Sequence, residues 1–254
     1  MIKFALSIAA SDPSGGAGME ADLKVFSAHK VFGMSAITAI TVQGPKGVEK
    51  IIPTPIKDFS RILEIVASQM PLDVVKIGAL ASMGHIRAVE KFLKRARVPC
   101  VLDPVLKASA GSFLLAKKDW PVIFSLLPFL DLLTPNIPEA EELLNMKIKS
   151  RADMVRALEK FSEKGARAVL LKGGHLDGGP VDLLWRNHNV RAFPKKRIAG
   201  KFHGTGCALS SAVAAQLALG KDLEDAVAKS ERYVQKCLCS AVRVGKRKYL
   251  THLD

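Results

Sequence analysis

The chain has 254 residues, 48% of them hydrophobic, and a formal net charge of +14. That length and apolar share support one substantial core, and no stretch is of low complexity or long and apolar enough to span a membrane. Its four cysteines, Cys100, Cys207, Cys237 and Cys239, form no CxxC pair and no Cys/His zinc spacing, which argues against a structural metal and a disulfide framework and for a reducing cytoplasm.

The chain begins with one lysine, a short apolar run and small residues, superficially like a secretory signal. The run is short for that role and leads straight into a glycine-rich loop, so IKFALSIAA (2–10) reads as a buried first strand. A helix is expected from about Ala17 to His29, then a strand at MSAITAITVQ (34–43) and a helix from Ile56 to Gln69. VVKIGAL (74–80) is the next strand, 82–96 a helix, and PCVLDPV (99–105) a strand whose end carries Asp103. LDLLTPN (130–136) is a strand that runs into the helix IPEAEELL, and a helix over 151–164 precedes the strand AVLLKGGH (168–175). VDLLW and VRAFP flank RNHN as a hairpin, and two helices, from Gly206 and from Asp222, complete the pattern. Near-continuous apolar strands between helices indicate a mostly parallel sheet covered on both faces. No break in composition divides the chain, so a single domain over 1–254 is expected.

In such folds the loops at the C-terminal ends of the strands build the site. The unusual residues fall there, in SDPSGGAG, VQGPKG, IGAL, DPV, TPNIPE, KGGH and HGTGC. No GxxxxGK[ST] occurs, and GTGCAL lacks the third glycine of a dinucleotide fingerprint. Gly204, Thr205 and Gly206 stand before a helix, where backbone N–H groups and the helix dipole favour an anion; the plain alternative is an ordinary glycine-bearing helix start. Cys207 follows at the same N-terminus, which predicts a lowered thiol pKa and a capacity to act as a base; the alternative is a small packing residue. Glu139, with Asn136 at the start of its helix, is suited to hold Mg²⁺ through water, or is a first-turn glutamate favoured by the dipole. Asp103 ends a buried strand, where a carboxylate requires a partner or a metal. Lys172 is placed to reach nucleotide phosphates, or is a strand-end lysine in solvent. Asp12 lies in the first glycine-rich loop. Asp22 in the following helix and Gln43 at the end of the second strand are suited to bond a small heterocycle, or are a solvent-facing aspartate and a strand-end amide.

Taken together, these loops resemble the hydroxymethylpyrimidine and phosphomethylpyrimidine kinases of thiamine biosynthesis, in the ribokinase-like superfamily. The match runs in order from SIAASDPSGGAGMEADLKVFSA through ITAITVQ, KIGAL, LDPV, TPNIPEA and LKGGH to HGTGCALSSAVAA, nearly the whole chain. The resemblance implies a ribokinase-like three-layer α/β sandwich, ATP and Mg²⁺ as cofactors, and a cytoplasmic homodimer. It implies an anion hole at Gly204, Thr205 and Gly206, with Cys207 in the base position. Asp22 and Gln43 would bond the aminopyrimidine, with Ala17, Thr41 and Val105 lining its pocket. Lys172, Asn136 and Gly173 would serve the nucleotide, and Asp103 and Glu139 the metal. Such kinases are expected to phosphorylate twice, first an alcohol and then a phosphate monoester.

The chain departs from the family pattern at Ala79, where methionine is common, at Phe202, where threonine is common, and in its tail, VGKRKYLTHLD. A related reading is pyridoxal kinase. From another class comes a basic nucleic-acid-binding or regulatory protein on this scaffold, given the clusters KFLKRARV, PKKRIAGK and RVGKRK. Those clusters carry little aromatic interleaving, and the intact set of Asp103, Glu139, Lys172 and GTGC favours catalysis, so neither nucleic acid nor membrane is expected as a partner.

Overall fold

The computed structural model describes residues 1–108, 111–174 and 179–252. A nine-stranded sheet has the order β3-β2-β1-β4-β5-β6-β7-β8-β9. Its strands are β1 (Lys3–Ser11), β2 (Val31–Gly44), β3 (Gly47–Pro53), β4 (Val74–Ile77), β5 (Cys100–Leu102), β6 (Leu132–Leu133), β7 (Ala168–Gly173), β8 (Val181–Arg186) and β9 (Asn189–Pro194). Pairing is parallel from β2 through β7 and antiparallel at both edges, where β3 folds back on β2 and β8 and β9 follow β7. The N-terminal apolar run is thus an interior strand, paired with β2 on one side and β4 on the other.

The strands are apolar on consecutive residues because both sheet faces are buried. Leu6, Val75, Leu102, Leu133 and Leu171 face one core. Helices α2 (Ile56–Gln69), α3 (Met83–Ala96), α4 (Ile137–Leu144) and α5 (Arg151–Glu163) cover it, together with a 3₁₀ segment at Lys117–Phe129. Their neighbours Ala5, Val74, Val101, Leu132 and Leu170 face the other core, covered by α1 (Gly18–Ala28), α6 (Thr205–Ala218) and α7 (Leu223–Cys239). This is the three-layer arrangement expected from the sequence. Helix α6 is built largely of Ala and Ser and is buried on most of its surface, which lets it lie close against the sheet between α1 and α7.

Several elements go beyond the sequence reading. β3 lies on the sheet edge with mostly exposed or half-exposed side chains, so it carries no apolar signature. A second sheet, of order β10-β12-β11, joins β10 (Phe202–His203) to β12 (Arg247–Tyr249) and β11 (Val242–Val244), and so brings the chain's tail back beside the HGTGC loop. The expected strand over 168–175 ends at Gly173, and His175 lies outside the described residues. No described helix is long and apolar enough to cross a membrane.

Candidate active site

A cleft opens over the C-terminal ends of the parallel strands and continues onto the N-terminus of α6. Its three parts differ in chemistry.

One end carries charge. Asp103, directly after β5, is buried, and Lys172 in β7 donates from Nζ to its Oδ1 at 2.7 Å. The Thr134 hydroxyl donates to the same oxygen at 3.3 Å. Burial alone would depress the Lys172 pKa, but the charges of Asp103 and Glu139 outweigh it and hold the ammonium above its ordinary value. Glu139 is buried as well. Burial pushes its carboxyl up to about 7; Lys172 opposes that shift and Asp103 adds to it. Asn136 and Glu139 form a capping box at the start of α4: Glu139 N–H donates to Asn136 Oδ1, and Asn136 N–H donates to Glu139 Oε2, each at 2.8 Å. Local helix capping therefore presents Glu139 to the cleft, and Asn136 lines the cleft with its amide oxygen already engaged.

The middle is the α6 N-terminus. No side chain caps this helix, so its first-turn N–H groups are available to a ligand. Gly204 has φ +81°, and a Cβ there would lie 1.7 Å from Gly16 O. A Cβ on Gly206 would come within 3.1 Å of Lys172 Nζ and 3.3 Å of Asp103 Oδ2. The glycines therefore let the backbone meet the first glycine-rich loop on one side and the charged end on the other. Cys207 lines the cleft here, but its thiol is not acidified as the sequence suggests. Burial pushes it up to about 11; Lys76 and the Gly18 N–H oppose the shift, while Asp103 and Asp22 add to it. Desolvation and two nearby carboxylates outweigh the helix end.

The third part is lined by small and polar side chains. Ala17, Thr41, Gln43, Ala79 and Val105 line it, so four of the five residues expected in the substrate pocket are placed in the cleft. Ala79 packs with Ala10 and Ala39, and Val105 and Leu114 close on that small-residue floor where a methionine is absent. Asp22 is the fifth, and the structure corrects it. Asp22 is fully buried on the inner face of α1 and lines no part of the cleft. Its carboxylate accepts from Lys76 Nζ at 2.8 Å on both oxygens, and from Ser7 and Ser211. Gly173 is also corrected. Its N–H donates to Asp182 Oδ1 at 3.0 Å, and a Cβ there would lie 2.2 Å from Val181 O, so close strand packing requires this glycine.

Three residues that the sequence reading left without a role complete the site. Asp12 accepts from the N–H groups of Ser14 and Ala17, each at 3.0 Å, and holds the first glycine-rich loop over the cleft. His203, the first residue of HGTGC, is buried between Asp12 and Tyr249, with Nε2 2.7 Å from Asp12 Oδ2. Lys76 is a lysine in the otherwise apolar strand VVKI, which is the signal that marks it; it reaches the floor of the cleft from full burial. Among the described residues no cluster of three or more His, Cys, Asp or Glu side chains could cage a metal by itself.

Comparison with known proteins identifies the family and the fold. The family described as phosphomethylpyrimidine kinase matches residues 12–252. The hydroxymethylpyrimidine/phosphomethylpyrimidine kinase of Aquifex aeolicus is 36% identical over 247 residues, 96% of this chain and 97% of that protein. The thiamine biosynthesis bifunctional protein ThiED of Geobacter sulfurreducens is 40% identical over 245 residues, 95% of this chain, which spans only 50% of that longer protein. A solved structure of Staphylococcus aureus pyridoxal kinase in complex with AMP-PCP and pyridoxal superposes with a TM-score of 0.90 at 29% identity, covering 99% of this chain and 94% of that one. The charged end, the uncapped helix start and the polar pocket thus sit on a ribokinase-like kinase fold, and the chain belongs to the phosphomethylpyrimidine kinase family of phosphotransferases.

Proposed function

We propose that the cleft transfers the terminal phosphoryl group of ATP to the hydroxymethyl oxygen of 4-amino-5-hydroxymethyl-2-methylpyrimidine, and then a second one to the resulting monophosphate, as steps of thiamine biosynthesis. One observation carries this reading: a polar heterocycle pocket at Gln43 and a charged end at Lys172 share one cleft, with the uncapped N-terminus of α6 between them.

Each part has a role in phosphoryl transfer. Lys172 supports phosphate oxygens at the nucleotide end, and the N–H groups of residues 204–206 face the charge on the transferring group. Asp103 and Glu139 would hold Mg²⁺. They fit it, because two buried carboxylates face one lysine there, and burial, with Asp103 beside it, pushes Glu139 up to about 7. Bound with nucleotide phosphates, magnesium would supply charge neutralisation, and two carboxylates without a full protein cage match its usual mode. In the first step the substrate O–H bond breaks as the new O–P bond forms, and the substrate proton passes to Cys207 Sγ. The bond from the γ-phosphorus to the bridging oxygen breaks and releases ADP. With the thiol held near 11, the base is a minor thiolate of high basicity. In the second step the acceptor is an anionic phosphate and has little need of a base.

The likeness to a pyridoxal kinase favours a second reading, in which pyridoxal is an additional or alternative substrate. Exposed Ile40, Val42 and Ile52 on the β2–β3 edge support a homodimer through that edge. The four free cysteines agree with a cytoplasmic enzyme, and the basic surface is read as attracting phosphorylated small molecules, with no nucleic acid or membrane as partner. A substrate panel tests the function: MgATP with the hydroxymethylpyrimidine, its monophosphate, pyridoxal and ribose, the products identified by mass. Mono- and diphosphate from the pyrimidine are expected. Product from pyridoxal alone selects the second reading, and product from none contradicts both.

A further inference from the structure

The amide of Gln43 lies between two groups whose hydrogens are already committed. As placed, its Nε2 is 3.4 Å from His203 Nε2 and its Oε1 is 3.4 Å from Thr41 Oγ1. His203 Nε2 is 2.7 Å from Asp12 Oδ2. Although burial opposes ionisation of Asp12, hydrogen bonds from His203 and Ser14 outweigh it and hold that carboxyl below its ordinary value. Asp12 is therefore a pure acceptor, and His203 must carry its hydrogen on Nε2. The Thr41 hydroxyl donates to Ser11 O at 2.8 Å, so towards Gln43 it offers only lone pairs.

The oxygen and nitrogen of an amide are told apart by such a network. With the nitrogen beside His203, two N–H donors would confront each other, and two acceptors would meet at Thr41. With the oxygen beside His203, the Nε2–H is shared between Asp12 and Gln43, and the Gln43 NH₂ donates to Thr41. Both conflicts disappear in this one orientation. Asp12 is pinned by two backbone N–H groups, and His203 stands edge-on to Tyr249 with ring centroids 5.3 Å apart, so neither partner is free to swing.

We propose that the Asp12–His203 pair, with Thr41 opposite, positions the Gln43 amide and thereby sets which heterocycle the enzyme accepts. This rests on the pyrimidine kinase reading and names its specificity device. The locked amide offers its remaining N–H and its remaining lone pair in a fixed order. That order suits a ring nitrogen without hydrogen next to an exocyclic amino group. A 4-oxo pyrimidine carrying hydrogen on the ring nitrogen inverts both positions and is rejected.

The test compares kcat/KM for 4-amino-5-hydroxymethyl-2-methylpyrimidine and its 4-oxo analogue, with MgATP saturating, in wild type, His203→Leu, His203→Gln and Thr41→Val. The 4-amino preference is expected to fall about tenfold or more in His203→Leu and in Thr41→Val, because a freed amide can turn over to match the wrong ring. The change should lie mainly in KM for the pyrimidine, with KM for ATP unmoved, and His203→Gln, which restores an N–H, should recover much of the preference. If His203→Leu does not fold, Thr41→Val decides. Equal losses for both pyrimidines, with the preference unchanged, overturn the proposal and make the pair structural. Absence of any pyrimidine product in wild type is a different result, and contradicts the underlying kinase reading.

Discussion

Lys172 and Asp103 stand at the C-terminal ends of β7 and β5, with β6 between them, and meet across it with Nζ 2.7 Å from Oδ1. The pair, Asp103 buried and Lys172 largely so, lies beside Gly206, where any side chain would press on both residues. A lysine held this way is fixed for a ligand, and its neighbour Glu139 has no ion pair of its own among the described residues.

That shortage gives the first prediction. Glu139, pushed up to about 7, gains a proton as pH falls through that value and loses its capacity for a cation. Apparent Mg²⁺ affinity at saturating nucleotide should weaken steadily between about pH 8 and pH 6. Glu139→Gln should lower kcat sharply, raise the Mg²⁺ requirement, and flatten this pH dependence. Magnesium titrations of initial rate check it; an unchanged Mg²⁺ requirement in the variant removes Glu139 from the metal site.

The second concerns the buried pair beneath the cleft. Lys76 and Asp22 are fully buried 2.8 Å apart, and Lys76→Met would leave the Asp22 carboxylate with only the hydroxyls of Ser7 and Ser211. Removing one partner of a buried pair costs about 3–5 kcal/mol. Urea unfolding should show a loss of that size, and Lys76→Met combined with Asp22→Asn should recover a large part of it. A loss below about 1 kcal/mol in the single variant would contradict the pairing.

The third concerns recognition. Gln43→Leu removes the amide from the pocket and should weaken pyrimidine binding by about 1–3 kcal/mol, the range for unpaired buried polar groups. ATP binding should barely change. Calorimetric titration with each ligand separates the cases; equal losses would indicate a folding defect.

The errors of the sequence reading have physical causes. Asp22 was legible as an inward residue, since it shares a face of α1 with Val25 and Phe26, three and four positions on, and all three are buried. Functionally it reads, with Gln43, as a partner for a heterocycle bearing donors and acceptors, with a solvent-facing aspartate as the alternative. Gly173 sits beside a lysine suited to phosphate, yet the close approach of β8 is what demands a glycine, and that contact joins strands paired in space. The rise of the Cys207 pKa comes from burial, with Asp103 and Asp22 adding to it against Lys76, and these groups come together only in the fold. β10, β11 and β12 are two or three residues each, too short for any period, and exist through mutual pairing. By contrast, the central strands were legible because two-sided burial leaves nearly every residue apolar, and the loops because their chemistry is concentrated where the strands end.

The central claim is that one cleft performs both phosphorylations, with Cys207 needed as a base only for the first. Cys207→Ala leaves the backbone N–H groups of the α6 N-terminus in place and removes only the thiol. The direct measurement is kcat/KM for each step separately, in wild type and Cys207→Ala, across neutral to alkaline pH. In wild type the alcohol step should accelerate with pH towards the thiol pKa of about 11. The variant should lose about 10²- to 10⁴-fold in that step, and lose its alkaline rise, while the monophosphate step changes little. Equal proportional losses in both steps would contradict the claim and make Cys207 a residue that shapes the site.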